Sequence, residues 1–175
     1  MKKLVSVFLA VLIVLSFAST ALAREQQFQK QEEVMNFSVT DQISFVLYKD
    51  NVKEGLSHGS INPAATTKYT SDSYSGYFYW PNTGNKISEH KFTAYFSYDG
   101  TMASCYDKSS SVKMIDNSSN YRPKAINEGK NNVSSSQVYG YVTFVLYDPN
   151  DNASAEVSIK IYCNQKGETW VNRQG

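Results

Sequence analysis

Between Ala155 and Cys163 the chain alternates almost without error. Val157, Ile159, Ile161 and Cys163 fall on one face, and Glu156, Ser158, Lys160 and Tyr162 on the other. A period of two marks a strand buried on one side only. Just upstream, Val138–Tyr147 is a second run rich in β-branched and aromatic residues, and Asp148-Pro-Asn-Asp-Asn152 between them is turn chemistry. The two runs read as a hairpin, which commits this part of the chain to an antiparallel sheet with one wet side. The inward face of the second run ends in one of only two cysteines.

The rest of the chain agrees with that start. Asp99-Gly100 is a preferred two-residue hairpin turn. A turn there puts Phe92, Ala94, Phe96, Ala103 and Cys105 on one face, and Tyr95, Ser104 and Tyr106 on the other. Phe37–Lys49 is a strand region with Ile43, Phe45 and Leu47 in phase. Shorter strands are predicted near Thr66–Tyr69, at Gly76–Trp80 before Pro81, at Ser111–Ile115 and at Thr169–Val171. Asp50–Ser73 and Asp116–Ser136 read as two long polar connections. Ile43–Tyr48 and Val142–Tyr147 are near-copies, as expected of strands under similar constraints. The predicted fold is all-β: a single antiparallel β-sandwich of about seven to nine short strands.

The N-terminus has a different composition. Lys2 and Lys3, an apolar run over Leu4–Leu15 and the small-residue site Ala21-Leu22-Ala23 form the pattern of a secretory signal peptide over residues 1–23. Residues 24–36 are polar and read as a leader, with the sandwich domain over 37–175. Export carries Cys105 and Cys163 into an oxidising space, so one disulfide between them is expected. The immunoglobulin pattern does not apply: no Trp lies between the cysteines, and Ile161 stands where that fold places its corner tyrosine. Beyond the signal segment no membrane span is expected. Without Lys2 and Lys3, 15 basic side chains face 16 acidic ones. A balance that close gives no electrostatic reason for a nucleic-acid partner.

Chemistry-bearing motifs are sparse. His58 and His90 are the only histidines. His58 lies between Ser57 and Ser60 in a long connection without a nucleophile-elbow pattern, and His90 reads as a surface residue at a strand end. Neither has metal-ligand spacing, so no metal and no cofactor is expected. Asp148–Asn152 resembles the start of a calcium loop, but Ala153 and Ile159 occupy the positions where that loop needs Gly and Glu.

The aromatic residues carry the functional expectation. Tyr95, Tyr106, Tyr139, Tyr141 and Tyr147 fall in the outward phase. With Tyr77, Tyr79 and Trp80 they form the candidate binding set, since a phenol ring offers a flat apolar body with a polar tip. The expected function is a secreted, non-enzymatic interaction module. It would bind a glycan or a protein at or outside the cell envelope, in an adhesin-, inhibitor- or toxin/immunity-like role. The alternative is a secreted hydrolase using His58 with a nearby hydroxyl or carboxylate.

Overall fold

The computed structural model describes residues 31–50 and 67–174. The expected signal segment, His58 and most of the predicted leader lie outside them. Nine strands follow in chain order: β1 (Glu32–Ser38), β2 (Ser44–Lys49), β3 (Lys68–Tyr79), β4 (Lys86–Tyr98), β5 (Ala103–Met114), β6 (Arg122–Ser134), β7 (Gln137–Tyr147), β8 (Ala153–Asn164) and β9 (Thr169–Gln174). There is no helix among the described residues. Strands β1 to β5 form one antiparallel sheet in that order, and β6 to β9 form a second. Every strand pairs with its sequence neighbour, so each sheet is a plain meander and the chain changes sheet once, after β5.

The two inward faces share one buried cluster in a sandwich-like arrangement. Phe45, Phe78, Phe92 and Phe96 enter it from the five-stranded sheet, and Phe144, Leu146, Ile159 and Ile161 from the other. The near-copies β2 and β7 thus sit in different sheets. Phe45 and Phe144 both pack against the ring of His90, at 6.4 and 4.7 Å between centroids.

Parity is as read from the sequence. Val157, Ile159, Ile161 and Cys163 are buried while their neighbours are not, and the same holds for Phe92, Ala94, Phe96, Ala103 and Cys105. Extent and position differ. The strands reach 13 residues rather than being short. Lys68 and Tyr69 of one expected strand and Gly76–Tyr79 of another belong to one strand, β3, and Ser111–Met114 is the end of β5. Most of the supposed connection Asp116–Ser136 is β6. Ladder hydrogen bonds join backbones, so a polar run pairs as well as an apolar one once a neighbour is beside it. For the same reason β1 begins at Glu32, inside the expected leader, and pairs with β2 across a turn at Val39–Ile43. The Asp99 turn spans four residues between the paired Tyr98 and Ala103. Asp99 Oδ1 accepts from the amides of Thr101 and Met102, both at 2.8 Å, which stabilises the longer loop.

The expected disulfide is not formed. Cys105 and Cys163 are both buried free thiols. Each donates to a carbonyl of its own strand: Cys105 Sγ to Asp107 O at 3.5 Å, and Cys163 Sγ to Asn164 O at 3.4 Å. Facing one core is a matter of parity, whereas a bridge also needs Cβ atoms about 3.5–4.5 Å apart. Burial pushes both thiols up, Cys163 to about 12.

His90, expected at the surface, is instead fully buried within β4, opposite Gly76 and Val112. A Cβ at Gly76 would fall inside the ring of Phe45, so glycine there lets that ring cross the strand next to His90.

Candidate functional site

The eight aromatic residues singled out from the sequence do not form one surface. Tyr77, Tyr79, Tyr95 and Tyr106 belong to the five-stranded sheet, and Tyr139, Tyr141 and Tyr147 to the four-stranded one. Since the two sheets share their inward faces, the outward tyrosines look in opposite directions. Trp80 follows β3 and packs edge-on against Tyr121, at 5.6 Å between centroids, on the margin of the core. Phase along a strand says which side a residue takes; only strand partnership says which residues share that side.

On the five-stranded sheet the tyrosines are tied up or splayed. Tyr77 is buried, donates to Glu89 Oε1 at 3.4 Å, and lies under Lys86 Nζ, 3.6 Å from its ring centre. Burial, then the nearby Glu89 carboxylate, pushes its phenol up to about 12. Tyr79 donates to Asn36 Oδ1 at 2.7 Å. Tyr106 meets Tyr95 at 6.2 Å and Tyr69, which is not in the candidate set, at 5.8 Å between centroids. Tyr69 and Tyr106 are half exposed, but their rings stand at 86°. A flat ligand cannot lie on both.

The four-stranded sheet is different. Tyr139 of β7 pairs directly with Tyr162 of β8, and Tyr162 pairs with Trp170 of β9. Directly opposed side chains on one face are the closest neighbours a sheet offers. The Tyr139 and Tyr162 rings are 5.2 Å apart and tilted at 42°, and Tyr162 and Trp170 are stacked, 5.4 Å apart with their planes at 6°. Tyr141, two residues along β7, extends the row at 5.9 Å from Tyr139. All four rings are partly exposed. Beneath them Val138, Val142, Ile161 and Val171 are core residues, so the row stands on a packed base. Lys160, opposite Tyr141, places Nζ 4.7 Å from the centre of Tyr139. Tyr147 lies further along β7, under Lys124 and outside the row.

Tyr162 and Trp170 were missing from the sequence set. Alternation along Ala155–Cys163 does turn Tyr162 outward. Trp170 needs the β8–β9 register, which a six-residue terminal strand does not announce.

The row has a local support on β6. A Cβ at Gly129 would fall inside the Tyr141 ring, which lies across this edge strand. An aromatic covering an edge glycine shields bare backbone and holds the ring. Gly129→Ala is expected to displace Tyr141 at a cost of about 1–3 kcal/mol, the usual range for overpacking. Near-ultraviolet circular dichroism should change while the far-ultraviolet spectrum does not; an unchanged near-ultraviolet spectrum would contradict this contact.

The other motifs have structural roles. The carboxylate of Asp148 accepts from the amides of Asn150 and Asn152, at 2.8 and 2.9 Å, and so closes its own turn. These bonds hold it below the usual carboxylate range. Ser88 Oγ and His90 Nε2 are 2.9 Å apart, yet both residues are fully buried, where no substrate reaches them. Among the described residues no cluster of His, Cys, Asp or Glu has the makings of a metal site, and no helix is long and apolar enough to cross a membrane. Comparison with protein-family models, with curated proteins and with solved structures finds no match to this chain.

Proposed function

We propose that the protein is an exported, non-enzymatic glycan-binding module, and that the outward face of β7, β8 and β9 is its binding surface. The observation that carries this is the contiguous, partly exposed row Tyr141–Tyr139–Tyr162–Trp170, with its stacked Tyr162–Trp170 pair. Sugar rings present flat C–H faces edged by hydroxyls. Aromatic rings bury the faces, and polar groups beside them bond the edges. Asn131 and Asn172 are exposed and sit in register with Tyr139 and Lys160, so amides border the rings. The signal-peptide pattern over residues 1–23 supports an exported module, and outside the cytoplasm is where polysaccharides are met.

The test is retention on a panel of soluble and insoluble polysaccharides. Trp170→Ala should weaken binding by about 2 kcal/mol, or roughly thirtyfold, as for a buried aromatic anchor. Tyr69→Ala, on the other sheet, should leave binding unchanged. Equal binding by wild type and the Trp170 variant, with loss in the Tyr69 variant, would move the site to the five-stranded sheet.

A further inference from the structure

We infer that the ligand of this face is an acidic polysaccharide, one bearing carboxylates along its chain, and that Lys160 selects for it. This rests on the reading of the aromatic row as a glycan surface and adds charge to that reading.

Lys160 occupies the middle of the face. It lies on β8 between Tyr141 of β7 and Asn172 of β9, with its ammonium over Tyr139. The four ion pairs among the described residues engage Lys49, Lys91, Lys108 and Arg122; none engages Lys160. The acid on the same face of β8, Glu156, is four residues away, about 13 Å along an extended strand. Glu168, in the β8–β9 turn, accepts from Asn164 Nδ2 at 2.7 Å. The ammonium is therefore held by a ring that takes up none of its three donors.

A neutral sugar chain would satisfy the rings and amides but would cover this charge without a counter-charge. A uronate would pack against the exposed part of the row and set its carboxylate against Nζ, a charge-assisted bond on both sides. Single-stranded nucleic acid also stacks on aromatic rows, but its affinity comes from several cations tracking the phosphates. Here one lysine stands among the rings, and the whole chain carries a net charge of only +1.

The experiment uses protein produced from the full-length chain. Its binding to polygalacturonate, alginate and hyaluronate is measured against the carboxyl-reduced form of each, with poly(U) as a competitor. At least one acidic polymer should bind about tenfold more tightly than its reduced form at low salt. That advantage should vanish in Lys160→Met and survive in Lys160→Arg, while Trp170→Ala should lose both forms. Equal binding of acidic and reduced polymers, or a Lys160→Met variant that keeps the preference, would overturn the inference. If that equal binding still depended on Trp170, the glycan reading itself would stand. Poly(U) outcompeting every polysaccharide would reassign the face to nucleic acid, and binding of no polymer would overturn both readings.

Discussion

The protein should lose stability steeply as the pH falls below about 6.5, and His90 should be the main cause. Its side chain is fully buried among Phe45, Phe78 and Phe144. Nε2 meets Ser88 Oγ, and Nδ1 has no hydrogen-bond partner among the described residues. Burial disfavours the charged ring and lowers its pKa from 6.5 to about 3. In the unfolded chain the imidazole takes up a proton below about 6.5, while in the folded chain it resists until about 3. Between those values the unfolded state binds more protons, so stability falls as the pH falls. The slope for one group is about 1.4 kcal/mol per pH unit, or about 2 kcal/mol by pH 5. Against a typical net stability of about 5–15 kcal/mol that is a large share. Urea unfolding at pH 7, 6 and 5 reads it directly. The comparison is His90→Leu combined with Ser88→Ala, which removes both polar partners together and so avoids leaving a buried hydroxyl alone. The double variant should lose most of the slope above pH 5. An equal decline in both proteins would clear His90.

Asp72→Ala should be the most damaging single change at the junction of the two sheets. Asp72 is 3% exposed and points inward from β3. Its Oδ2 accepts from Thr169 Oγ1 at 2.8 Å, Tyr74 Oη at 2.9 Å and Lys49 Nζ at 3.1 Å. Lys49 and Tyr74 belong to the five-stranded sheet, and Thr169 begins β9 of the other. One carboxylate oxygen therefore ties the sheets together where their inward faces meet. Truncation leaves the buried Tyr74 hydroxyl and the Thr169 hydroxyl without an acceptor. Breaking such a buried charged network costs about 3–5 kcal/mol. Lys49 is 40% exposed and can turn to water, so the lower end applies. Asp72→Asn keeps an acceptor and should cost about 1–2 kcal/mol. A cycle with Thr169→Val should show coupling of at least about 0.5 kcal/mol. An Asp72→Ala loss within 0.5 kcal/mol of zero, on the scale of a plain surface substitution, would show that the tie contributes nothing.

Neither Asp72 nor His90 was legible along the chain, and the reasons differ. Asp72 lies in a Ser/Thr-rich run, Lys68–Ser75, which by composition belongs to a connection. Its role depends on Thr169, 97 residues away. His90 follows a charged residue and precedes another, in Glu89-His90-Lys91, which reads as surface. What buries it is the bare backbone of Gly76 on one side and Phe144 from the opposite sheet on the other.

The proposed binding face divides the same way. Alternation put Tyr139, Tyr141 and Tyr162 on the wet side without help from the fold. It puts Tyr95 and Tyr106 on the wet side as well, although they are in the other sheet. Period and turn chemistry are local: they set which side of its own strand each residue takes, and here they made the chain an all-β protein with the right residues inside. Sheet membership, the neighbour across the ladder and the distance between two inward sulfurs arise only when distant segments pair. Composition constrains such pairing weakly, because backbone ladders form between polar strands as readily as between apolar ones.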